Sequence, residues 1–158
     1  AHAGEHAGPA SIESVLGACR AERIGHGVRA VDDPALVERL ARSGTPLEVC
    51  PTSNLMLGLA PDLARHPFDR LRSAGCAVSV NTDDPALFST DLPREFHGLA
   101  EAFGYDAETL VDLAVAGVRH SFLPERERED LEAEVRAEAR RLAPLHLGRE
   151  LGDSAATA

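Results

Sequence analysis

Several features that would place a protein in a common class are missing from this sequence. Apolar runs stay well short of the roughly 18 residues that a membrane-spanning helix needs, and the N-terminus has neither a basic region nor an apolar signal core. Basic residues are scarce: 16 Lys and Arg stand against 26 Asp and Glu, and the formal net charge of -10 disfavours binding to a nucleic-acid backbone. We therefore expect a cytoplasmic protein that binds neither nucleic acid nor membranes.

Cysteine is also sparse. Cys19, Cys50 and Cys76 form no close-spaced metal-binding pair, and their odd number disfavours a disulfide framework, so we expect small buried apolar residues. The 158 residues, 44% of them hydrophobic, suit one globular domain. The sequence starts at Ala1 without an initiator methionine, which suggests that further residues precede it.

Short apolar stretches alternate with amphipathic helical stretches from the N-terminus to Pro85. The apolar stretches end near residues 2, 26, 50 and 82, and helices are predicted between them over residues 11–22, 33–43 and 67–74. The intervals of 24, 24 and 32 residues are close to the ~31 residues per strand–helix unit of an eight-unit barrel. Because helical connections join parallel strands, we predict an α/β fold with a parallel sheet.

Polar side chains follow each of the four predicted strands. The carboxyl ends of parallel strands meet at one edge of a sheet, so these side chains are expected to form one shared site. Taken alone, the acidic pair before Pro85 would equally fit a solvated turn. In chain order the polar groups are His2 with Glu5, His26, residues 50–54, and Asp83 with Asp84.

Beyond Pro85 the sequence is predicted to be helical. The predicted helices cover residues 92–103, 106–118 and 124–142, and the last of them is a highly charged surface helix. We place the domain at residues 1–148 and predict a disordered tail over 149–158, which is small and polar. The histidines outside the strand ends are interpreted as surface or packing residues rather than ligands: His6, His66, His97, His120 and His146.

Four motifs in this order resemble those of the adenosine deaminase family. They are His2-Ala3-Gly4-Glu5, Ile24-Gly25-His26-Gly27, Val49-Cys50-Pro51-Thr52-Ser53-Asn54 and Asn81-Thr82-Asp83-Asp84-Pro85. The resemblance implies a zinc-dependent (β/α)8 TIM barrel, of which this chain would hold strands five to eight and the C-terminal helices. Residues 1–148 would then be the C-terminal half of the barrel domain.

The resemblance also implies a role for each site residue. His2 and Asp83 would bind one Zn²⁺ ion. No His-x-His pair occurs in the sequence, so the two other histidine ligands are expected from the missing N-terminal half. Glu5 would protonate the purine ring and His26 would orient and help deprotonate the attacking water. The substrate-binding residues would be Asp84, through a hydrogen bond, and Gly4, where a flat ring can approach the backbone closely.

The chemistry needs these residue types. Zinc lowers the pKa of a bound water to about 7, and a carboxylic acid kept partly protonated by burial can supply the proton that the ring accepts. The cytidine-type signature with Pro-Cys-x-x-Cys is absent, and Cys50 is interpreted as structural. The segment from Asn54 to Gly58 is expected to help shape the pocket, although Leu55, Met56 and Leu57 fit a packing role equally well.

The predicted function is therefore zinc-dependent hydrolytic deamination of adenosine, a small-molecule purine nucleoside, to an inosine-type product and ammonia, within a longer enzyme. Family members that act on adenine or aminofutalosine are the nearest alternatives. A different alternative is a half barrel without catalysis that acts as an interaction module, binding the missing half or itself through exposed sheet edges. Another metal-dependent amidohydrolase is the third.

Overall fold

The computed structural model describes residues 1–152 and divides them into two units, the first over Ala1–Phe103 and the second from Gly104 onward. Most of the tail predicted over residues 149–158 lies outside the described residues. At its start, Arg149 donates a hydrogen bond of 2.8 Å from Nη2 to Glu108. Within the described part of the chain, no helix is both long and apolar enough to cross a membrane.

The first unit is built on a sheet of four parallel strands. These are β1 (His2–Ala3), β2 (Ile24–His26), β3 (Leu47–Val49) and β4 (Val78–Val80), and their spatial order is their order in the chain. In the register of the sheet, His2 lies opposite Gly25, and Ala3 lies opposite His26. The predicted parallel sheet is confirmed, and sequential neighbours joined by helices are the repeating unit of a barrel.

Six α-helices belong to the first unit: α1 (Pro9–Gly17), α2 (Pro34–Ser43), α3 (Pro51–Met56), α4 (Phe68–Ser73), α5 (Pro85–Phe88) and α6 (Leu92–Phe103). Helix α2 begins where the sequence predicts, because Asp33 Oδ1 accepts hydrogen bonds from Ala35 N at 3.0 Å and Leu36 N at 3.3 Å. Helix α1 was predicted to reach residue 22, and this is wrong, because the chain turns at Arg20 with a φ of +50°. Helix α3, which Pro51 opens, was not predicted.

The core of the first unit lies between the strands and helices α1, α2, α4 and α6. Its fully buried large side chains are mostly apolar, as the helix periodicity requires, and the exceptions are His26 and His66. The buried cysteines Cys50 and Cys76 fit their predicted packing role, whereas Cys19 is exposed beyond the end of α1 and that prediction is wrong. The core residues include Ile12, Ile24, Leu36, Leu40, Leu47, Phe68, Leu71 and Leu99.

In the second unit, α7 (Ala107–Arg119) and α8 (Glu125–Leu147) contact each other. Asp106 caps α7 by accepting a hydrogen bond from Thr109 N at 2.9 Å. Arg136 of α8 pairs with Asp112 of α7 at 3.1 Å. Helix α8 extends five residues beyond the predicted end at residue 142.

Gly4 forms the turn that follows β1, and this turn positions the predicted site residue Glu5. Its φ is +64°, a left-handed conformation that favours glycine. Its amide donates to Ser11 Oγ at 2.9 Å, and its carbonyl accepts from Arg29 N at 2.8 Å. A Cβ atom added here would lie 2.7 Å from Ile12 Cγ1 and 3.2 Å from Gly27 Cα, so the turn has no room for a side chain.

We predict that Gly4→Ala lowers the free energy of unfolding by about 2–4 kcal/mol, because left-handed strain and overlap with Ile12 add together. Gly44→Ala is the matched control: Gly44 has a φ of +63°, and a Cβ there would meet nothing within 4 Å. It should cost about 1 kcal/mol from backbone strain alone. Urea unfolding of both variants measures the difference, and equal losses would contradict the packing role of Gly4.

Candidate active site

The carboxyl edge of the sheet collects the side chains that the sequence singled out. His2 lies in β1 and Glu5 in the turn after it, His26 ends β2, and Asp83 follows β4 by three residues. One potential ligand atom from each of His2, His26 and Asp83 lies within 4.8 Å of the other two. Imidazole nitrogens and a carboxylate oxygen are donors that zinc accepts, so this group fits the expected metal. The sequence interpretation had assigned His26 to orienting and helping to deprotonate the water, and not to binding the metal.

Two members of this group have strained backbones. His26 has a φ of +65° and Asp83 a φ of +60°. Left-handed residues other than glycine cost on the order of 1 kcal/mol or more, although His and Asp tolerate this conformation better than most residues. Such strain persists where the surrounding structure holds it, and it is concentrated at functional sites.

His26 is almost completely buried, with 2% of its surface exposed. Its Nε2 lies 3.7 Å from Glu5 Oε1 and 3.8 Å from Asp83 Oδ2, within ion-pair distance but beyond a hydrogen bond. Burial lowers the pKa of the imidazole, while the charges of Glu5 and Asp83 oppose the change. The balance favours a neutral ring.

The edge is supported by buried polar residues on α3. Ser53 donates a hydrogen bond to Asp83 Oδ2 at 2.8 Å, and both Ser53 and Asn54 are fully buried. Glu95 of α6 is buried as well, and its Oε2 accepts from Thr52 N at 3.1 Å. Sequence reasoning included Ser53 only within the polar group 50–54 and gave it no role of its own, and it missed Glu95.

His66 is also buried, and it is linked to His26 through Asn54. Asn54 Nδ2 lies 3.2 Å from His26 Nδ1, and Asn54 Oδ1 lies 3.2 Å from His66 Nε2. The Phe68 amide donates to His66 Nδ1 at 3.1 Å. Burial lowers the pKa of His66 to about 4. The sequence offered no signal for this link, because His66 lies in an irregular stretch between two prolines.

The other predicted site residues lie beside this group. Glu5 is partly exposed, and its Oε2 is 3.6 Å from Nδ1 of the exposed His6. Asp84 is exposed and caps α5, where its Oδ1 accepts a hydrogen bond from Leu87 N at 2.9 Å. It therefore also fits the alternative interpretation of this acidic pair as a solvated turn. Gly4 is buried within the turn that carries Glu5.

A cleft of about 330 Å³ opens at the strand edge, lined by His2, His26 and Asp83 together with Cys50, Val80 and Leu92. Burial raises the pKa of the Cys50 thiol to about 12, which fits its predicted structural role. Gly25 also lines the cleft, and a Cβ there would come within 3.1 Å of the His2 ring. The segment 54–58 is not among the lining residues of this cleft.

A parallel strand–helix arc with its polar cluster at the carboxyl edge is the arrangement of (β/α)8 enzymes. The family model for adenosine deaminase matches residues 1–138, and the chain belongs to the adenosine deaminase family. Its fold is α/β of the TIM-barrel type, with four strands in the described part of the chain.

Curated relatives are similar over less than half of their own length. An adenine deaminase of Chelativorans sp. is 47% identical over 135 residues, which are 85% of this chain and 42% of the relative. An aminodeoxyfutalosine deaminase of Streptomyces coelicolor is 46% identical over 122 residues, 77% of this chain and 32% of the relative.

Solved structures give the same picture. An adenine deaminase from Arthrobacter aurescens superimposes with a TM-score of 0.84 at 34% identity, covering 87% of this chain and 42% of that chain. An amidohydrolase from Burkholderia ambifaria with bound Zn also gives 0.84, at 26% identity, covering 94% of this chain and 42% of that chain.

We predict that stability falls as the pH is lowered from about 6.5 to about 4, in part because of His66. Its pKa is lowered from 6.5 to about 4 in the folded state, so the unfolded chain binds the extra proton within this window. The loss from this residue is about 3 kcal/mol over the whole interval.

Denaturant unfolding at pH 7 and pH 4.5 measures this loss for the parent chain, for His66→Gln and for the control His97→Gln. His97 is exposed, and its Nε2 pairs with Glu101 Oε1 at 3.4 Å. The His97 variant should keep the pH dependence of the parent chain, and in the His66 variant the loss of stability between pH 7 and pH 4.5 should be smaller by about 2–3 kcal/mol. Identical pH dependence in all three chains would contradict the prediction.

Proposed function

We propose that this chain carries one side of the active site of a zinc-dependent 6-aminopurine deaminase. The observation that carries the proposal is the convergence of His2, His26 and Asp83 within 4.8 Å, with Glu5 beside them at the same strand edge. The reaction replaces the 6-amino group by oxygen from water and releases ammonia. Membership of the adenosine deaminase family and the zinc-containing structural neighbour support it.

His2 and Asp83 would hold the zinc ion, and the two further histidine ligands implied by the family would come from outside this sequence. When bound, zinc makes a nucleophilic water oxygen available near neutral pH. Ser53 keeps the Asp83 carboxylate in one orientation through its hydrogen bond of 2.8 Å to Oδ2. Gly25 leaves space for the His2 ring, because a Cβ there would crowd it.

Glu5 and His26 would act on the purine and the attacking water. Addition of water to C6 requires a proton on the adjacent ring nitrogen, and the amino group then leaves as ammonia with a second proton. Glu5 would supply the ring proton, and the partly exposed position of its carboxylate, 3.7 Å from His26 Nε2, supports this role. His26 would orient the water, and Asp84 would hydrogen-bond the purine through the carboxylate that also caps α5.

Adenine is the substrate that we favour over adenosine. The sequence alone led to adenosine, but the most similar curated relatives named above act on adenine or on aminodeoxyfutalosine by name. All three compounds share the 6-aminopurine ring, and they differ in what is attached to it. Aminodeoxyfutalosine is the second candidate.

Open sheet edges support the view that other strands complete the site. In the described sheet, β1 and β4 each have one neighbour, so each leaves one edge unpaired. Unpaired edges are templates for further strands. We therefore propose that the remaining barrel strands, rather than a separate function in assembly, occupy these edges in the active protein.

We predict that His2→Ala lowers the affinity of the chain for zinc by more than about tenfold, because it removes a ligand. Gly25→Ala should cause a smaller loss by displacing the His2 ring. Isothermal titration with zinc alone measures both, with His97→Ala as the control at an exposed histidine. Zinc affinity that is unchanged by His2→Ala would contradict the proposed metal site.

We predict that Glu5→Gln lowers kcat for adenine by about 100-fold or more, because it removes the acid that protonates the ring. The enzyme to use is a chimaera in which the part of the Chelativorans adenine deaminase that precedes the matched region is joined to Ala1. Turnover is followed by the ultraviolet change from adenine to hypoxanthine, and adenosine and aminodeoxyfutalosine are compared at the same concentrations.

Glu101→Gln is the control, since Glu101 is an exposed carboxylate on α6 that pairs with His97. Its turnover should equal that of the parent chimaera. Full activity of Glu5→Gln would exclude Glu5 as the proton donor. Faster turnover of adenosine than of adenine would overturn the substrate proposed here and restore the one predicted from the sequence.

A further inference from the structure

Three buried polar residues form a continuous line of hydrogen bonds that ends at the active site. His66, Asn54 and His26 are each at most 2% exposed. Neither His66 nor Asn54 has a part in the proposed chemistry, and buried polar groups are costly unless each of them finds a partner. The line has a definite direction, because it begins at a group that can only donate.

That group is the backbone amide of Phe68. Its N–H points to His66 Nδ1 at 3.1 Å, so Nδ1 must accept and carries no proton. A neutral imidazole has one N–H, which is therefore on Nε2 of His66. The lowered pKa of His66 agrees with a neutral ring.

The side-chain amide of Asn54 accepts a hydrogen bond from His66 and donates one to His26. His66 Nε2–H requires an acceptor, and Asn54 Oδ1 lies 3.2 Å from it. The other end of the amide, Nδ2, then faces His26 Nδ1 at 3.2 Å and donates to it. The flipped amide would set two donors against each other at His66, so the network decides the orientation.

We propose that His66 is a positioning residue which, through Asn54, sets the tautomer of His26. Because Nδ1 of His26 accepts, the proton of the neutral ring lies on Nε2, which faces Glu5 and Asp83 at 3.7 and 3.8 Å. His26 thus presents a hydrogen-bond donor to the reacting groups. A ring in this state neither coordinates zinc through Nε2 nor accepts a proton there.

This inference deepens the proposed function and rests on it for its catalytic consequence. The distances around His26 fit two interpretations equally: His26 is a third zinc ligand, or it orients the water. The tautomer distinguishes between them. The tautomer favours the second, in which His26 donates to an oxygen. It also disagrees with the part of the sequence prediction in which His26 helps to deprotonate water.

The test is the protonation of the two ring nitrogens of His26, measured by nitrogen-15 NMR on the metal-free chain near neutral pH. The parent chain should show an unprotonated Nδ1 and a protonated Nε2. Asn54→Asp should move the proton to Nδ1, because a carboxylate only accepts and would need an N–H from each histidine. His66→Gln should keep the parent tautomer, since its amide can donate to Asn54 Oδ1.

His66→Phe removes both hydrogen bonds while filling similar space, and it should produce a mixture of tautomers. His97→Gln is the control and should leave the His26 signals unchanged. A protonated Nδ1 in the parent chain, or the same tautomer in the parent and in Asn54→Asp, would overturn the proposal. If a variant does not fold, the parent measurement alone still decides whether Nδ1 accepts.

Activity gives a separate readout in the chimaera. His66→Phe should lower kcat roughly 10- to 100-fold and leave KM nearly unchanged, and His66→Gln should restore most of the rate. The tautomer is measured without zinc or substrate, so the two proposals fail separately. The expected tautomer in an inactive chimaera would contradict the proposed function only, and an active chimaera with a protonated Nδ1 would contradict the positioning role only.

Discussion

The need of every buried polar group for a hydrogen-bond partner organises the carboxyl edge of this sheet. Glu95 accepts from Thr52 N at 3.1 Å and from Thr90 Oγ1 at 2.7 Å, which holds the start of α3 against α6. Free amides at a helix start are satisfied in this way by a carboxylate. Because α3 is held, the next two residues along it, Ser53 and Asn54, reach the site.

From α3 the support divides into two branches. Ser53 donates to Asp83 and so orients a predicted zinc ligand, and Asn54 donates to His26. A short helix thus controls both the carboxylate and the imidazole of the site. From the sequence, the segment 54–58 was expected to shape the pocket. In the structure it supports the site through its buried residue Asn54, whereas Met56 and Leu57 are exposed.

The sequence predicted what depends on local pattern and failed where tertiary proximity decides. Strand ends, the cap at Asp33 and the order of the four motifs follow from neighbouring residues, and all are present in the structure. Asn54 and His26 are 28 residues apart, and no sequence periodicity predicts their hydrogen bond. His66 was expected to be a surface or packing residue. It is packed, but its polar contacts give it more than a packing role.

The proposed zinc site and the hydrogen-bonded line to His26 differ in how much of each this chain supplies. The proposed site takes only two zinc ligands from this chain, and in the described sheet β1 and β4 are each paired on one side only, so the proposal assigns the remaining ligands to groups beyond this sheet. The line from Phe68 through His66 and Asn54 to His26 needs no further element, because its bonds join only β2, α3, His66 and the first residue of α4. The orientation of His26 is therefore a property of this chain. Under the proposal, the other barrel strands would meet a site in which His26 already presents its Nε2–H as a hydrogen-bond donor.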